Sequence, residues 1–469
     1  MPSRPGDTGA HQPLRQVLTT RLLYFFILGD VLGAGVYVLI GEVAAKSGGG
    51  VWVPLTCALL LALLTAASYA ELATKYPRAG GASHYATRAY GPAVGFFAGY
   101  CMLAAGIVSV AALARGFAGD YLAALVSVPV VLVAVVFLVL LALLNARGIR
   151  ESTRLNTLAT LVETGGLLLI VGLGAWIVLR GDGDVGRLTQ LGTESASPAA
   201  AVLAGAVLAY YSFVGFETSV NVAEETLDPA RSYPRALFGA LATAGLMYAA
   251  VGAAASAAVP TATLAASDGP LLEVVRAAGG VPPRLFAFIA LVAVANGALL
   301  TGIMSSRLAY GMAREGLLPA FLTRVLPHRR TPWAAIAATT VVSALLAATG
   351  EVDVLAGTLV LLLLVVFFIV NTAALVLRRD RSAPADHFRA PTVVPVLGAL
   401  SCVVLATQIE AGVWARGLVL MGVGAGLGVL MLLLRRRGRR TEADPAPAPA
   451  PADRPAGAPF AVDDGNGKK

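Results

Sequence analysis

Charge is scarce in this chain. Charged residues make up 13% of its 469 residues and hydrophobic residues 57%, whereas soluble globular chains carry about 25% charged residues. That balance, with a mean hydropathy of +0.76, excludes a set of soluble domains and points to a polytopic membrane protein. Cysteine is rare. Cys57, Cys101 and Cys402 all fall in apolar segments without metal-ligand spacing, and read as small core residues. Histidine is limited to His11, His84, His328 and His387, all outside the long apolar runs, which argues against a metal or nucleophile centre within the membrane and so against an embedded enzyme. No phosphate-binding loop followed by Lys and Ser or Thr is present, which argues against ATP drive. Neither a pore-loop filter nor rings of charge mark a channel. The formal charge of +8 would suit a polyanion, but the basic residues lie in loops between apolar runs and read as orientation signals, with no nucleic acid partner. Met1 to Thr20 is polar, and no cleavable signal is expected there.

What the chain has in abundance is apolar runs of about 20 residues. They fall at 21–45, 51–73, 94–119, 127–145, 155–179, 199–224, 235–259, 283–309, 331–350, 353–377, 391–409 and 413–434. The expected fold is therefore all-α, with about twelve transmembrane helices. Lys and Arg alternate in density between successive loops: Lys75, Arg78 and Arg88, or Arg378, Arg379 and Arg381, against a lone Lys46 or Arg416. This bias puts both termini in the cytoplasm of a multi-pass protein of the cytoplasmic membrane. Residues 1–20 are then a cytoplasmic tail, and 435–469 a basic, then Pro/Ala-rich cytoplasmic tail. Tyr76 to Tyr85 suits a short re-entrant or interfacial helix, and Ser267 to Gly279 an amphipathic helix capped at Ser267 or Asp268. Arg115 is expected to snorkel or to pair with Asp120.

The first apolar run is interrupted. Within it lies Gly29-Asp30-Val31-Leu32-Gly33-Ala34-Gly35-Val36-Tyr37. Asp30 follows Arg21 by nine residues, roughly 14 Å at the helical rise and about half the hydrocarbon thickness. An acid at that depth is a functional-site candidate, and a Gly-interrupted helix exposes N–H groups that can hold an anion. The stretch alone leaves open a packing notch whose acid faces a water crevice. Span six repeats the theme with Tyr211-Ser212-Phe213-Val214-Gly215-Phe216-Glu217. Interrupted first and sixth helices imply two five-span halves of opposite orientation, with a binding site near the bilayer midplane.

These residues carry a resemblance. Gly33 to Leu39 is similar to the first-helix motif of the amino acid–polyamine–organocation superfamily, especially of cationic amino acid transporters and their bacterial relatives. The string from Phe213 through Glu224, Glu225, Asp228, Pro229 and Pro234 resembles that family's sixth-helix signature, and Arg307 to Leu318 its exit from span eight. The resemblance implies a LeuT-like 5+5 inverted repeat, with spans one to five in 21–179, spans six to ten in 199–377 and spans eleven and twelve outside it in 391–434. It also implies an amino acid permease working by alternating access, with an exchanger or polyamine carrier of the same fold as the alternative.

By that analogy N–H groups around Gly33, Ala34 and Gly35 take the substrate carboxylate, beside Asp30 and Val31, while carbonyls in the stretch Tyr211, Ser212, Phe213, Val214 and Gly215 take its ammonium. A zwitterion needs this pairing of donors with acceptors. Glu163 lies eight residues into span five, so Asp30, Glu163 and Glu217 are expected at similar depth. Some proton-dependent family members have a lysine at the position matching Glu163, so an acid there is a departure and suggests a carboxyl that takes and releases protons, or a cation site. Glu163 and Glu217 are the candidate coupling groups, and Glu217 is also read as holding the second break. Asp30 is a candidate for recognising a cationic group. Tyr211, Phe213 and Thr301 are candidate gates, and Asn296, Ser305 and Ser306 put further polar groups on span eight. The partners expected are the amino acid, protons and the lipid bilayer, with no cofactor and no metal ion.

Overall fold

The computed structural model describes residues 18–77, 80–126, 128–147, 152–193, 196–380 and 386–442, with backbone alone for 152–157 and 431–442. Most of both expected tails, and Arg78, Arg150 and Arg381, lie outside the described residues. The elements are all helical. In chain order they are α1 (Thr20–Val31), α2 (Gly35–Ser47), α3 (Trp52–Lys75), α4 (Gly81–Tyr90), α5 (Pro92–Ala118), α6 (Asp120–Ala123), α7 (Val130–Arg147), α8 (Ser152–Leu179) and α9 (Pro198–Tyr211). A 3-10 helix over Phe216–Glu225 follows, then α10 (Pro229–Ala258), α11 (Thr261–Ala265), α12 (Pro270–Ala278), α13 (Pro283–Arg314), α14 (Trp333–Thr349), α15 (Val352–Leu377), α16 (Val393–Thr407) and α17 (Ala411–Glu442). Among the described residues no strand forms beyond isolated bridges.

Among the described residues eight helices are long and apolar enough to cross a membrane, and two bent pairs bring the number to ten. Those pairs are α1 with α2, bent by 50°, and α9 with the 3-10 helix, bent by 40°. They coincide with the two interruptions read from the sequence. The shorter apolar helices α14 and α16 fall in the stretches 331–350 and 391–409. A helix satisfies its own backbone in lipid, which is why long apolar runs take this form. The outer surface is correspondingly oily: Leu132, Val136, Leu140 and Leu143 of α7 are all 48–59% exposed. At the centre α15 buries Leu359, Val360, Leu361 and Leu362 against the surrounding helices.

Several local expectations are corrected. The helix expected over Tyr76 to Tyr85 is α4, displaced toward Tyr90. Helix α12 starts behind Gly269 with Pro270 in its first turn and has no side-chain cap. Ser267 Oγ and the Asp268 N–H instead donate to Asp120 Oδ2, at 3.0 and 2.9 Å. With Asp120 thus engaged, Arg115 pairs with Glu351 rather than with Asp120.

Ionic ties close both ends of the bundle. At the arginine-rich end Glu71, 1% exposed, accepts two bonds from Arg378 at 2.7 and 2.6 Å and one from the Ala390 N–H at 3.1 Å. Nearby, Asp380 accepts from Arg88 at 2.9 Å and from Tyr76 at 2.8 Å. Burial and then the Asp380 carboxylate push the Tyr76 hydroxyl up to about 12, so it remains a donor. At the opposite end Lys46 Nζ meets Glu410 at 2.5 Å. The segment before α1 is tied to the end of the 3-10 helix, since the Leu18 N–H donates to Glu225 O and the Leu227 N–H to Leu18 O, both at 2.9 Å.

Candidate functional site

The first break is built from backbone groups released by the bend. The last turn of α1 closes with the Leu32 N–H on Leu28 O at 2.7 Å. The first bond of α2 is the Val38 N–H on Ala34 O at 3.3 Å. The N–H groups from Ala34 to Tyr37 therefore have no intrahelical acceptor, as at any helix start. Gly33 differs from its neighbours, because its N–H donates to the hydroxyl of Tyr248 at 3.1 Å. That hydroxyl donates in turn to Val31 O at 2.6 Å. Gly35 is required by contact with span six: a Cβ there would lie 2.9 Å from both Ser212 Cα and Tyr211 Cδ1. At Gly33 a Cβ would meet nothing nearer than Val31 O at 3.6 Å.

The second break begins as α9 tightens. Ser212, Phe213 and Val214 donate to Ala209, Tyr210 and Tyr211, each at 3.1 Å. Gly215 then turns at φ +130°, a value that suits glycine. Its N–H donates to Glu217 Oε2 at 2.8 Å, so Glu217 ties down the turn from within the next helix. The Gly215 carbonyl accepts from the Thr218 N–H at 3.0 Å. The carbonyls of Ser212, Phe213 and Val214 are the ones this turn leaves without a backbone donor.

The breaks touch. A Cβ on Gly215 would lie 2.7 Å from Asp30 O, and Thr218 Oγ1 contacts Asp30 Oδ2. The same hydroxyl lies 2.7 Å from Gly215 O. Thr218 has one proton for these two acceptors, so a protonated Asp30 donating to Thr218 would complete the set.

Between the breaks is a cleft of about 500 Å³, mouth included. Asp30, Val31, Gly33, Ala34 and Gly35 line it from the first break, and Tyr211, Ser212 and Val214 from the second. Helix α8 contributes Glu163, which is 1% exposed. Among the described residues Glu163 Oε1 has no hydrogen-bond partner, an unusual state for a buried carboxylate oxygen. The Glu163 carbonyl accepts from Tyr37 of α2 at 2.7 Å, so the second half of the broken helix is fastened to the residue that carries this acid. Asn296 and Thr301 line the cleft from α13. Tyr211 is held by Ser109, with 3.0 Å between their hydroxyls.

Phe213, Gly215 and Glu217 do not line the cleft. Phe213 is fully buried, edge-on to Tyr248 at 5.4 Å. Asp30 and Glu163 thus share one cavity, while Glu217 stands behind the turn. Ser305 bonds back to Thr301 O of its own helix at 2.8 Å, Ser306 accepts from Asn145 of α7 at 3.1 Å, and neither lines this cleft. Sequence reasoning missed Ser109 and Leu113 of α5, Leu32, Leu300 and Tyr248. Only Ser109, a hydroxyl in an apolar span, carried a visible signal. A second cleft, about 370 Å³ with its mouth included, lies between α5, α7, α13 and α14, and among the described residues none in its wall is ionisable. Among the described residues no group of three or more His, Cys, Asp or Glu side chains could hold a metal ion.

The cleft thus sets free N–H donors against free carbonyls, with two acids in its wall and apolar groups from Leu32, Leu113, Val214 and Leu300. That arrangement can hold a small zwitterion and needs no covalent chemistry. Comparison with known proteins agrees. The family model described as amino acid permease matches residues 18–419. A branched-chain amino acid permease, BcaP, of Bacillus subtilis (strain 168) is 26% identical over 423 residues, which are 85% of this chain and 89% of the relative. An uncharacterized transporter of Mycobacterium tuberculosis (strain ATCC 25618 / H37Rv) is 31% identical over 399 residues, 84% of this chain and 87% of the relative. The vacuolar cationic amino acid transporter 4 of Arabidopsis thaliana is 28% identical over 394 residues, 79% of this chain and 64% of the relative. The chain belongs to the amino acid permease family of the amino acid–polyamine–organocation superfamily.

Proposed function

We propose that the protein carries amino acids across the cytoplasmic membrane by alternating access and that inward proton movement drives it. The single observation that carries this reading is the meeting of two broken helices at a cleft whose wall holds a buried acid with an unpartnered oxygen, Glu163. We further propose about twelve spans, with both termini cytoplasmic. Spans one to five and six to ten would form an inverted repeat around the cleft. The equivalent bends at the first and sixth spans support that symmetry.

In this reading the substrate carboxylate sits on the N–H groups of Ala34 and Gly35, at the positive end of α2. Its ammonium faces the carbonyls of Ser212 and Val214, with Asp30 beside them. Glu163 takes a proton with the substrate and releases it on the other side, since its burial disfavours an unpaired charge. Asp30 and Thr218 hold the two inner half-helices together, so that they move as one body.

The test is uptake into proteoliposomes across a range of external pH, comparing the native protein with Glu163→Gln. The native protein should accumulate substrate more strongly as the outside is acidified, and Glu163→Gln should transport with that dependence flattened. An unchanged pH profile in Glu163→Gln would remove the coupling role from this residue.

A further inference from the structure

We infer that Tyr248 is the positioning residue that fixes the break of the first helix and selects which backbone donors face the cleft. This inference rests on the transport reading above. In a continuous helix Val31 O would accept from the Gly35 N–H, and the Gly33 N–H would donate to Gly29 O. The bend between α1 and α2 removes both bonds. In a membrane interior each lost bond is costly, because no solvent replaces it.

One hydroxyl replaces both. Tyr248 of α10 donates to Val31 O at 2.6 Å and accepts from the Gly33 N–H at 3.1 Å. Its side chain is fully buried, so water does not compete for these groups. Its ring stands edge-on against Phe213, in the turn of the second break, with centroids 5.4 Å apart. Tyr248 therefore touches both breaks from a third helix, with its hydroxyl on one and its ring on the other.

Two consequences follow for binding. With the Gly33 N–H consumed, the donors left for a carboxylate at the mouth of α2 are those of Ala34 and Gly35. Without the hydroxyl, Val31 O and the Gly33 N–H recover partners only if the chain straightens toward a regular helix, and straightening draws the Ala34 and Gly35 N–H groups back into intrahelical bonds. The hydroxyl thus holds the carboxylate site open without touching the substrate.

The test compares the native full-length protein with Tyr248→Phe, which keeps the ring and its Phe213 contact. Tyr24→Phe serves as control, because it removes a hydroxyl bonded to Thr243 on the partly exposed face of α1. The first readout is amide hydrogen exchange of peptides covering 28–37. The second is binding of labelled alanine and of alaninamide, which keeps the ammonium and lacks the carboxylate.

Tyr248→Phe should slow exchange across this segment, as the Ala34 and Gly35 N–H groups enter intrahelical bonds, and weaken alanine binding about tenfold, as the loss of roughly 1.4 kcal/mol would. Alaninamide binding should change little, and Tyr24→Phe should alter neither readout. Unchanged exchange across 28–37 would overturn the inference, and so would an equal loss for alanine and alaninamide. If the native protein bound neither probe, alanine would not be a substrate, and the exchange comparison alone would decide the role of Tyr248.

Discussion

Gly33 and Gly35 look interchangeable in sequence, yet the structure separates them by what an added methyl group would meet. In Gly35→Ala the new Cβ would lie 2.9 Å from Ser212 Cα and 2.9 Å from Tyr211 Cδ1. One neighbour is backbone, and the other is a ring fixed through its hydroxyl to Ser109, so neither gives way easily. Overpacking of this kind costs about 1–3 kcal/mol. The cost falls on the arrangement in which the two breaks touch. Because 1.4 kcal/mol is tenfold in an equilibrium, substrate affinity should fall by a factor of about 5 to 150. In Gly33→Ala the methyl meets nothing nearer than 3.6 Å, and the thermal midpoint should stay native. The assay is labelled-substrate binding to purified protein in detergent, with the thermal midpoint of each variant measured alongside. Native affinity in Gly35→Ala, or a lower midpoint in Gly33→Ala than in Gly35→Ala, would refute the packing reasoning.

Two further perturbations test other parts of the account. Arg378→Ala strands the buried Glu71 carboxylate beside the Ala390 N–H alone, and unfolding should become easier by about 3–5 kcal/mol. Denaturation followed by tryptophan fluorescence checks this, and an unshifted transition would contradict it. Asp30→Asn keeps a donor toward Thr218 but can never become a carboxylate, so a loss of arginine binding much greater than the loss of alanine binding would assign Asp30 to a cationic side chain. Equal losses would leave Asp30 as a tie between the half-helices.

Both breaks were legible because glycine and a carboxylate interrupt otherwise apolar runs, and few other roles require that combination in a membrane. Helical rise alone puts Asp30, Glu163 and Glu217 at a common depth; of the three, Asp30 and Glu163 line one cleft, while Glu217 is turned to the Gly215 N–H. The partners of Arg115 and of the first break were not legible. Asp120 is near Arg115 in sequence, but it is occupied by Ser267 and Asp268, and the pairing residue Glu351 is 236 positions away. Tyr248 sits in an Ala-rich span with no local mark of its contact with Val31 and Gly33. The 3-10 winding after Gly215 was hidden as well. It goes with side chains that bond back to the chain: Thr218 to Gly215 O, Ser219 to Phe216 O and Asn221 to Thr218 O. Hydropathy registers none of these bonds.

Uptake of labelled alanine and arginine into proteoliposomes, with and without an imposed pH gradient at clamped voltage, tests the central claim most directly. The account predicts saturable uptake of at least one of the two that rises when the outside is made acidic relative to the lumen. Uptake indifferent to the gradient, or dependent on amino acid preloaded inside, would contradict proton drive and favour an exchanger of the same fold.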